Sequence, residues 1–326
     1  MATVPTDVHN QLLERRARVE AVAKERGYAP QLESLLLEID RAIDRFTVGT
    51  FGRCETCGDP IEADRLQVEP LTRFCLDHLS SAQARALEQD LELASRVQRN
   101  LLPAPETTVQ GWQADYHYEP LGAVSGDFVD LVRPSLDPGI LYFLLGDIAG
   151  KGVAASMLMA HLHASVRTLI DLGLPLPQVL ERANRVFCES TMANHYATLV
   201  CGRLSSDGEL ELCNAGHCQP LLIHDGRHTL LDPTTVPLGL FCVQEYPSIR
   251  TRMAHGDSLL LYTDGATETF DENGREYGVE RLSQVALAHA AGSPHSLIGA
   301  CVKDVAAFRG RAPRTDDMTL MVIRRV

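Results

Sequence analysis

The sequence predicts an α+β protein in two parts, and three observations carry that prediction. From about residue 105 onward, short β-like runs and long helical runs fall into segregated groups, the pattern of α+β layering and not of alternating βαβ units. Within that region, four Gly-Asp, Asp-Gly or Asp-Asp sites stand at the ends of β-like runs, so several distant segments each deliver a carboxylate. The first 80 residues read instead as helices followed by closely spaced cysteines. At 326 residues the chain exceeds one typical domain, and the parts read as 1–80, a helical linker at 81–104, and 105–326.

The N-terminal part begins with a helix-prone run at 7–26 whose apolar stripe is thin (Leu12, Val19, Val22) and which Gly27 and Pro30 stop. Leu32, Leu35, Leu36, Ile39, Ile43 and Phe46 then repeat at helical spacing with acidic residues outside. A short Gly/Pro turn makes the two helices an antiparallel hairpin with its tip at 25–30. Next come Cys54-x2-Cys57 and, after a 17-residue gap, Cys75-x2-His78. Two thiolates with two residues between them on a turn can face one ion, and Gly58 relieves the tight backbone. The four side chains therefore read as ligands of one structural Zn²⁺. A redox pair is the competing reading, but no βαβ pattern surrounds these cysteines. Quoted as Thr47-Val-Gly-Thr-Phe-Gly-Arg-Cys-Glu-Thr-Cys-Gly-Asp-Pro-Ile and Phe74-Cys-Leu-Asp-His78, the segment resembles the TraR/DksA-type zinc finger. It departs from that family at His78, where a fourth cysteine is usual. The tip lacks the acidic residues of members that act on RNA polymerase, so a zinc-stapled interaction module is the reading. The remaining cysteines (Cys188, Cys201, Cys213, Cys218, Cys242, Cys301) are scattered and read as free thiols.

Composition narrows the function classes. A formal charge of −13 argues against general nucleic-acid binding. The longest apolar stretches, such as 141–145, are too short to span a bilayer, and the first residues lack the pattern of a secretory signal. A cytoplasmic protein without a membrane partner is the expectation.

The linker, 81–102, reads as one helix ending at Pro103, with Ala84, Leu87, Leu91, Ala94, Gln98 and Leu101 at heptad spacing. Such a stripe serves a parallel homodimer or a helix packed on a neighbour, and the sequence leaves both open. In the last part, strands are expected at 112–118, 127–132, 140–145, 197–204, 210–214, 220–224, 258–262 and 318–323. Hairpin turns are expected at Asp207-Gly208 and Asp225-Gly226, and helices at 153–172, 177–190, 279–291 and 294–309. Asp147 and Asp264 follow buried apolar strands, where an unpaired carboxylate is costly. With Asp127 and Asp316 they form an oxygen-donor set suited to two hard divalent cations, Mn²⁺ or Mg²⁺. Gly150-Lys151-Gly152 lacks P-loop spacing, and 270–274 lacks the glutamate of a calcium loop.

The motifs Ala94-Ser-Arg-Val-Gln-Arg-Asn-Leu-Leu-Pro103, Ser125-Gly-Asp-Phe128, Gly146-Asp-Ile-Ala-Gly-Lys-Gly152, Asn214-Ala-Gly-His217, Tyr262-Thr-Asp-Gly265 and Asp316-Asp-Met-Thr319 occur in that order. With them, the chain from about residue 91 resembles the PPM-type protein serine/threonine phosphatases of the bacterial SpoIIE/RsbU branch. The resemblance implies a four-layer α/β/β/α sandwich, a bridging role for Asp147 aided by the Ile148 carbonyl, and Asp264 with Asp316 completing one ion. Asp317 is retained beside Asp316, and Asp127 would hold the second ion or orient its water. It also implies in-line attack of an activated hydroxide on phosphoserine or phosphothreonine, with a phosphorylated STAS-type anti-sigma factor antagonist as partner. Eukaryotic members carry a histidine two residues after the bridging aspartate, thought to protonate the leaving group, where this chain has Ala149. His217 is a candidate acid by composition, although a loop-buttressing histidine is the plainer reading, as a solvated side chain is for Lys151. A second function is therefore weighed: a weak or inactive phosphatase fold that acts by protein binding through the zinc module.

Overall fold

The computed structural model describes residues 6–26, 30–79, 81–191 and 195–326. The turn expected at Gly27 lies outside the described residues. The chain divides into two compact units between Asp90 and Leu91.

In the first unit, α1 (Thr6–Arg26) and α2 (Pro30–Thr47) pack along their apolar stripes, burying Val8 and Leu12 with Ala42. Arg16 crosses between them to Asp40 at 2.5 Å. The same core takes in Phe51, Cys54, Ile61, Leu66 and Cys75, so the cysteine cluster is continuous with the foot of the hairpin. A short helix that the sequence pattern did not predict, α3 (Ala63–Val68), spans part of the gap between the cysteine pairs.

Helix α4 (Ser81–Arg99) contains the division between the units and stops three residues before the expected end. Beyond it, Asn100, Leu101 and Leu102 continue in turns. Its heptad residue Gln98 is buried within the second unit: Nε2 donates to the Ser125 carbonyl at 2.7 Å, and Ser125 N–H returns a bond to Oε1 at 3.0 Å.

The second unit holds two antiparallel sheets. In chain order its elements are β1 (Thr107–Val109), β2 (Trp112–Glu119), β3 (Phe128–Val132), β4 (Ile140–Ile148), α5 (Gly152–Ile170), α6 (Leu176–Ser190), β5 (Ala197–Ser205), β6 (Glu209–Ala215), β7 (Leu221–His224), β8 (Arg227–Leu230), β9 (Ile249–Arg252), β10 (Ser258–Tyr262), α7 (Asp264–Thr267), α8 (Val279–Ala288), α9 (Pro294–Arg309) and β11 (Met318–Arg325). The first sheet runs β1-β2-β11-β10-β7-β8 and the second β3-β4-β5-β6-β9. Asp207-Gly208 and Asp225-Gly226 make the two expected hairpin turns. Gly208, Asp225 and Gly226 have positive φ, as turns matching strand twist require.

Strand periodicity generates the layers. Leu141, Phe143 and Leu145 of β4 meet Leu259 and Leu261 of β10 and Met321 and Ile323 of β11 in the core between the sheets. The alternate residues of β4, Tyr142, Leu144 and Ile148, pack on α5 and α6. Leu260, Leu320 and Val322 of the other sheet pack on α8 and α9. Side chains two apart share a face, so a strand buried on both faces reads as a continuous apolar run. The result is the four-layer α/β/β/α sandwich. Trp112 of β2 reaches across the central core to donate to the Ser205 carbonyl of β5 at 3.1 Å. Among the described residues one helix, α5, is long and apolar enough to cross a membrane; here its residues Met159, Leu162, Val166 and Ile170 are buried against the second sheet.

Candidate functional site

Four aspartates stand at one end of the seam between the sheets, near enough for Asp147 to feel Asp127, Asp264 and Asp316. The apolar run of β4 does not stop at Gly146: the strand continues through Asp147, paired with Thr198, to Ile148. Asp147 thus falls on the same face as Leu141, Phe143 and Leu145, turned toward the opposite sheet. Asp127 immediately precedes β3 in the same sheet. Asp264 opens α7 two residues past the end of β10, and Asp316 stands two residues before β11, both in the other sheet's half.

Asp127 is 2% exposed and its Oδ2 accepts from Thr263 at 2.9 Å, just past β10, and from Thr319 of β11 at 2.6 Å. Burial, then the Asp147 charge, holds its pKa well above the usual carboxylate range. Asp147 is pushed up to about 7 by burial and then by Asp264, Asp316 and Asp317, while a hydrogen bond with Asp127 acts the other way. Burial and Asp316 likewise raise Asp264. Buried carboxylates that repel one another hold protons more readily, and a cation between them would reverse this.

The adjacent pair Asp316 and Asp317 face different surroundings. Asp317 Oδ1 accepts from Leu121 N–H at 2.6 Å, and its Oδ2 accepts from Ser125 Oγ at 2.7 Å and Gly126 N–H at 3.1 Å. It pins the loop before β3. Asp316 instead meets Lys151, whose Nζ also donates to the Thr315 carbonyl. Lys151 therefore has two protein partners although it is largely exposed, where a solvated side chain was expected. Gly150 and Gly152 both have positive φ and open space around them, so their part is backbone conformation. At Gly126, by contrast, a Cβ would lie 3.0 Å from the Ile148 carbonyl oxygen and 3.2 Å from Asp147 Oδ1. The absent side chain leaves those two oxygens facing a clear space.

Ala149 donates its N–H to the Tyr196 carbonyl at 2.9 Å and has no proton-transfer group. His217 sits behind Asp147 through Thr198, whose hydroxyl is 2.7 Å from Nδ1. Burial holds its pKa down to about 4, so the ring is neutral at pH 7. Asn214 ties its backbone, accepting from His217 N–H at 2.8 Å, as a loop-buttressing histidine requires. Sequence reasoning gave no role to Thr263 or Thr319. The signal was present, because each lies two residues from a seam-facing strand residue, Leu261 or Met321, Thr319 within β11 and Thr263 just past the end of β10.

The cysteine cluster of the first unit is a separate site. One donor atom from each of Cys54, Cys57, Cys75 and His78 lies within 4.8 Å of the others, the one such group of three or more among the described residues. Cys75 Sγ is 3.8 Å from Cys57 Sγ and 3.2 Å from His78 Nδ1. Three sulfurs and one imidazole nitrogen match tetrahedral zinc chemistry.

The sequence pattern described as Stage II sporulation protein E (SpoIIE) matches residues 137–326, and that described as prokaryotic dksA/traR C4-type zinc finger matches 49–77, one residue short of His78. The chain is 24% identical over 244 residues to phosphoserine phosphatase RsbU of Bacillus subtilis, covering 73% of this chain and 71% of the relative. It is 28% identical over 187 residues to phosphoserine phosphatase RsbP of the same organism, covering 56% of this chain and 46% of that one. This chain thus spans under half the length of RsbP. Among solved structures, the SiaA-PP2C domain of Pseudomonas aeruginosa matches with a TM-score of 0.65 and 20% identity, over 75% of this chain and 98% of that domain. With the SpoIIE pattern matched over more than half its length, the chain belongs to the SpoIIE family of PP2C-like phosphatases and carries an N-terminal dksA/traR-type zinc finger.

Proposed function

We propose that this chain is a metal-dependent protein phosphatase that hydrolyses phosphoserine or phosphothreonine on a signalling protein, with a STAS-type anti-sigma factor antagonist as the substrate class. The observation that carries this reading is the convergence of Asp127, Asp147, Asp264 and Asp316 from both sheets onto one end of the seam. The donor set fits Mn²⁺ or Mg²⁺: all its side chains offer carboxylate oxygen, the Ile148 carbonyl adds another, and their mutual repulsion asks for a cation. Bound there, two such ions supply Lewis acidity and an activated water for in-line displacement at phosphorus.

The chain's own residues set the geometry of that step. Asp147 would hold metal, since it faces the seam with the Ile148 carbonyl beside it. Asp264 and Asp316 are presented from the opposite sheet's half, and Asp317 is assigned to holding the loop because three donors of the 121–126 segment engage its oxygens, whereas Asp316 meets the exposed Lys151. Asp127, fixed by two threonine hydroxyls, orients water or a second ion. Ala149 cannot protonate the leaving alkoxide, so that proton comes from solvent or another group, and slow turnover is expected. The Cys54, Cys57, Cys75 and His78 set holds one Zn²⁺ and makes the first unit an interaction module. Pairing of α4 with a second copy would give a homodimer.

Hydrolysis of p-nitrophenyl phosphate and of a phosphorylated antagonist protein, with and without Mn²⁺, tests the reading. Mn²⁺-dependent release that Asp264→Ala abolishes is the expected result. Equal rates for the two proteins would overturn it in favour of a binding scaffold.

A further inference from the structure

Beside the aspartates lies a pocket to which no role has been assigned. It has a volume of about 250 Å³ and is walled by Val302, Val305 and Ala306 of α9, with Arg309, Arg314 and Asp316 among its polar lining. Pockets for drug-sized ligands run to about 300–1,000 Å³, and this space is nearer the scale of a single side chain.

Its two arginines differ in what they already hold. The Arg314 guanidinium is engaged, donating to Glu119 Oε1 at 2.9 Å and to the Glu119 carbonyl at 2.5 Å. Arg309 forms no ion pair and no side-chain hydrogen bond among the described residues, although it is half-buried and its Nε is shielded from solvent without an acceptor. Its place in the last turn of α9 agrees with the helix dipole. That leaves a forked set of donors free. A half-buried guanidinium with an unpaired Nε–H suits a planar anionic acceptor, and a carboxylate matches it.

We infer that this pocket receives an acidic side chain, Asp or Glu, flanking the phosphorylated residue of the protein substrate, with Arg309 binding its carboxylate. The inference rests on the phosphatase reading, because the pocket shares Asp316 and Thr315 with the carboxylate site and so opens where the substrate chain would pass. The apolar wall of α9 accommodates the methylenes of the incoming side chain. Local charge matters here because the protein carries a formal charge of −13, which repels acidic sequences elsewhere on its surface.

Two phosphoserine peptides differing only in a flanking Glu or Gln test the inference on the full chain with Mn²⁺. Wild type is expected to favour the Glu peptide about tenfold in kcat/KM, the size of one charge-assisted bond. Arg309→Met should bring that ratio close to one, and Arg309→Lys should restore part of it. A wild-type ratio near one, or a ratio that survives Arg309→Met, overturns the proposal. The ratio within each protein is independent of any general loss of activity. If wild type hydrolyses neither peptide nor p-nitrophenyl phosphate, the phosphatase reading has failed. Fluorescence anisotropy of the same peptides without added metal then decides the pocket alone. Tighter binding of the Glu peptide that depends on Arg309 supports it, and equal binding refutes it.

Discussion

Lys151 Nζ lies 2.9 Å from Asp316 Oδ2, so a protein cation already occupies the carboxylate that the metal reading needs. Asp316 in turn raises the lysine pKa, first through this bond. A divalent ion at Asp316 would compete with this exposed ammonium. Lys151→Met is therefore expected to tighten Mn²⁺ binding about two- to fivefold, the modest scale of an exposed pair. Isothermal titration calorimetry reads this directly, and weaker binding in the variant would rule out competition.

Asp316 and Asp317 should separate cleanly on mutation. Asp317→Asn weakens the charged acceptor of three bonds that hold the 121–126 loop and is expected to cost about 2 kcal/mol or more. Asp316→Asn should leave the melting temperature nearly unchanged while abolishing Mn²⁺ binding. Thermal melts with metal titration check both, and the reverse pattern would show that the two roles are exchanged.

For the cysteine cluster, elemental analysis should find one zinc per chain. Cys75→Ala removes a ligand that is also part of the hairpin-foot core, so loss of the ion should unfold the first unit. Circular dichroism of wild type treated with a strong chelator should show the same loss of helix. Retention of full helicity without zinc would count against a structural ion.

A pH effect is expected at His295, whose Nδ1 donates to Asp115 Oδ2 at 2.8 Å. That bond, then the Asp115 and Glu106 charges, raises the histidine pKa. The stabilisation is fully present below the unfolded value of about 6.5 and is lost as pH rises through the higher folded value. The melting temperature of wild type should exceed that of His295→Gln at pH 6 and approach it at pH 9. A difference that does not vary with pH would exclude the ion pair.

The elements most legible in the sequence are those buried on both faces. β4, β10 and β11 announce themselves as apolar runs because the seam claims one face and a helix layer the other. β8 and β9 were not predicted. They are edge strands rich in Arg and exposed positions, and their extended form comes from pairing with β7 and β6. The site shows the same division. Each aspartate was visible beside its strand, yet an Asp-Asp pair does not say which side chain turns to the loop and which to the lysine. That choice is made by Leu121, Ser125 and Gly126, nearly two hundred residues away along the chain.

The indole bond from Trp112 to Ser205 has a practical consequence. Trp112 is the chain's only tryptophan and is 1% exposed, and it joins a strand of one sheet to a strand of the other. Its emission is therefore an optical gauge of whether the two sheets are in register, with no label required. The aspartates are contributed in pairs by those same two sheets. A red shift on loosening would report, in one cuvette, the dispersal of the carboxylates together with the parting of the layers that carry them.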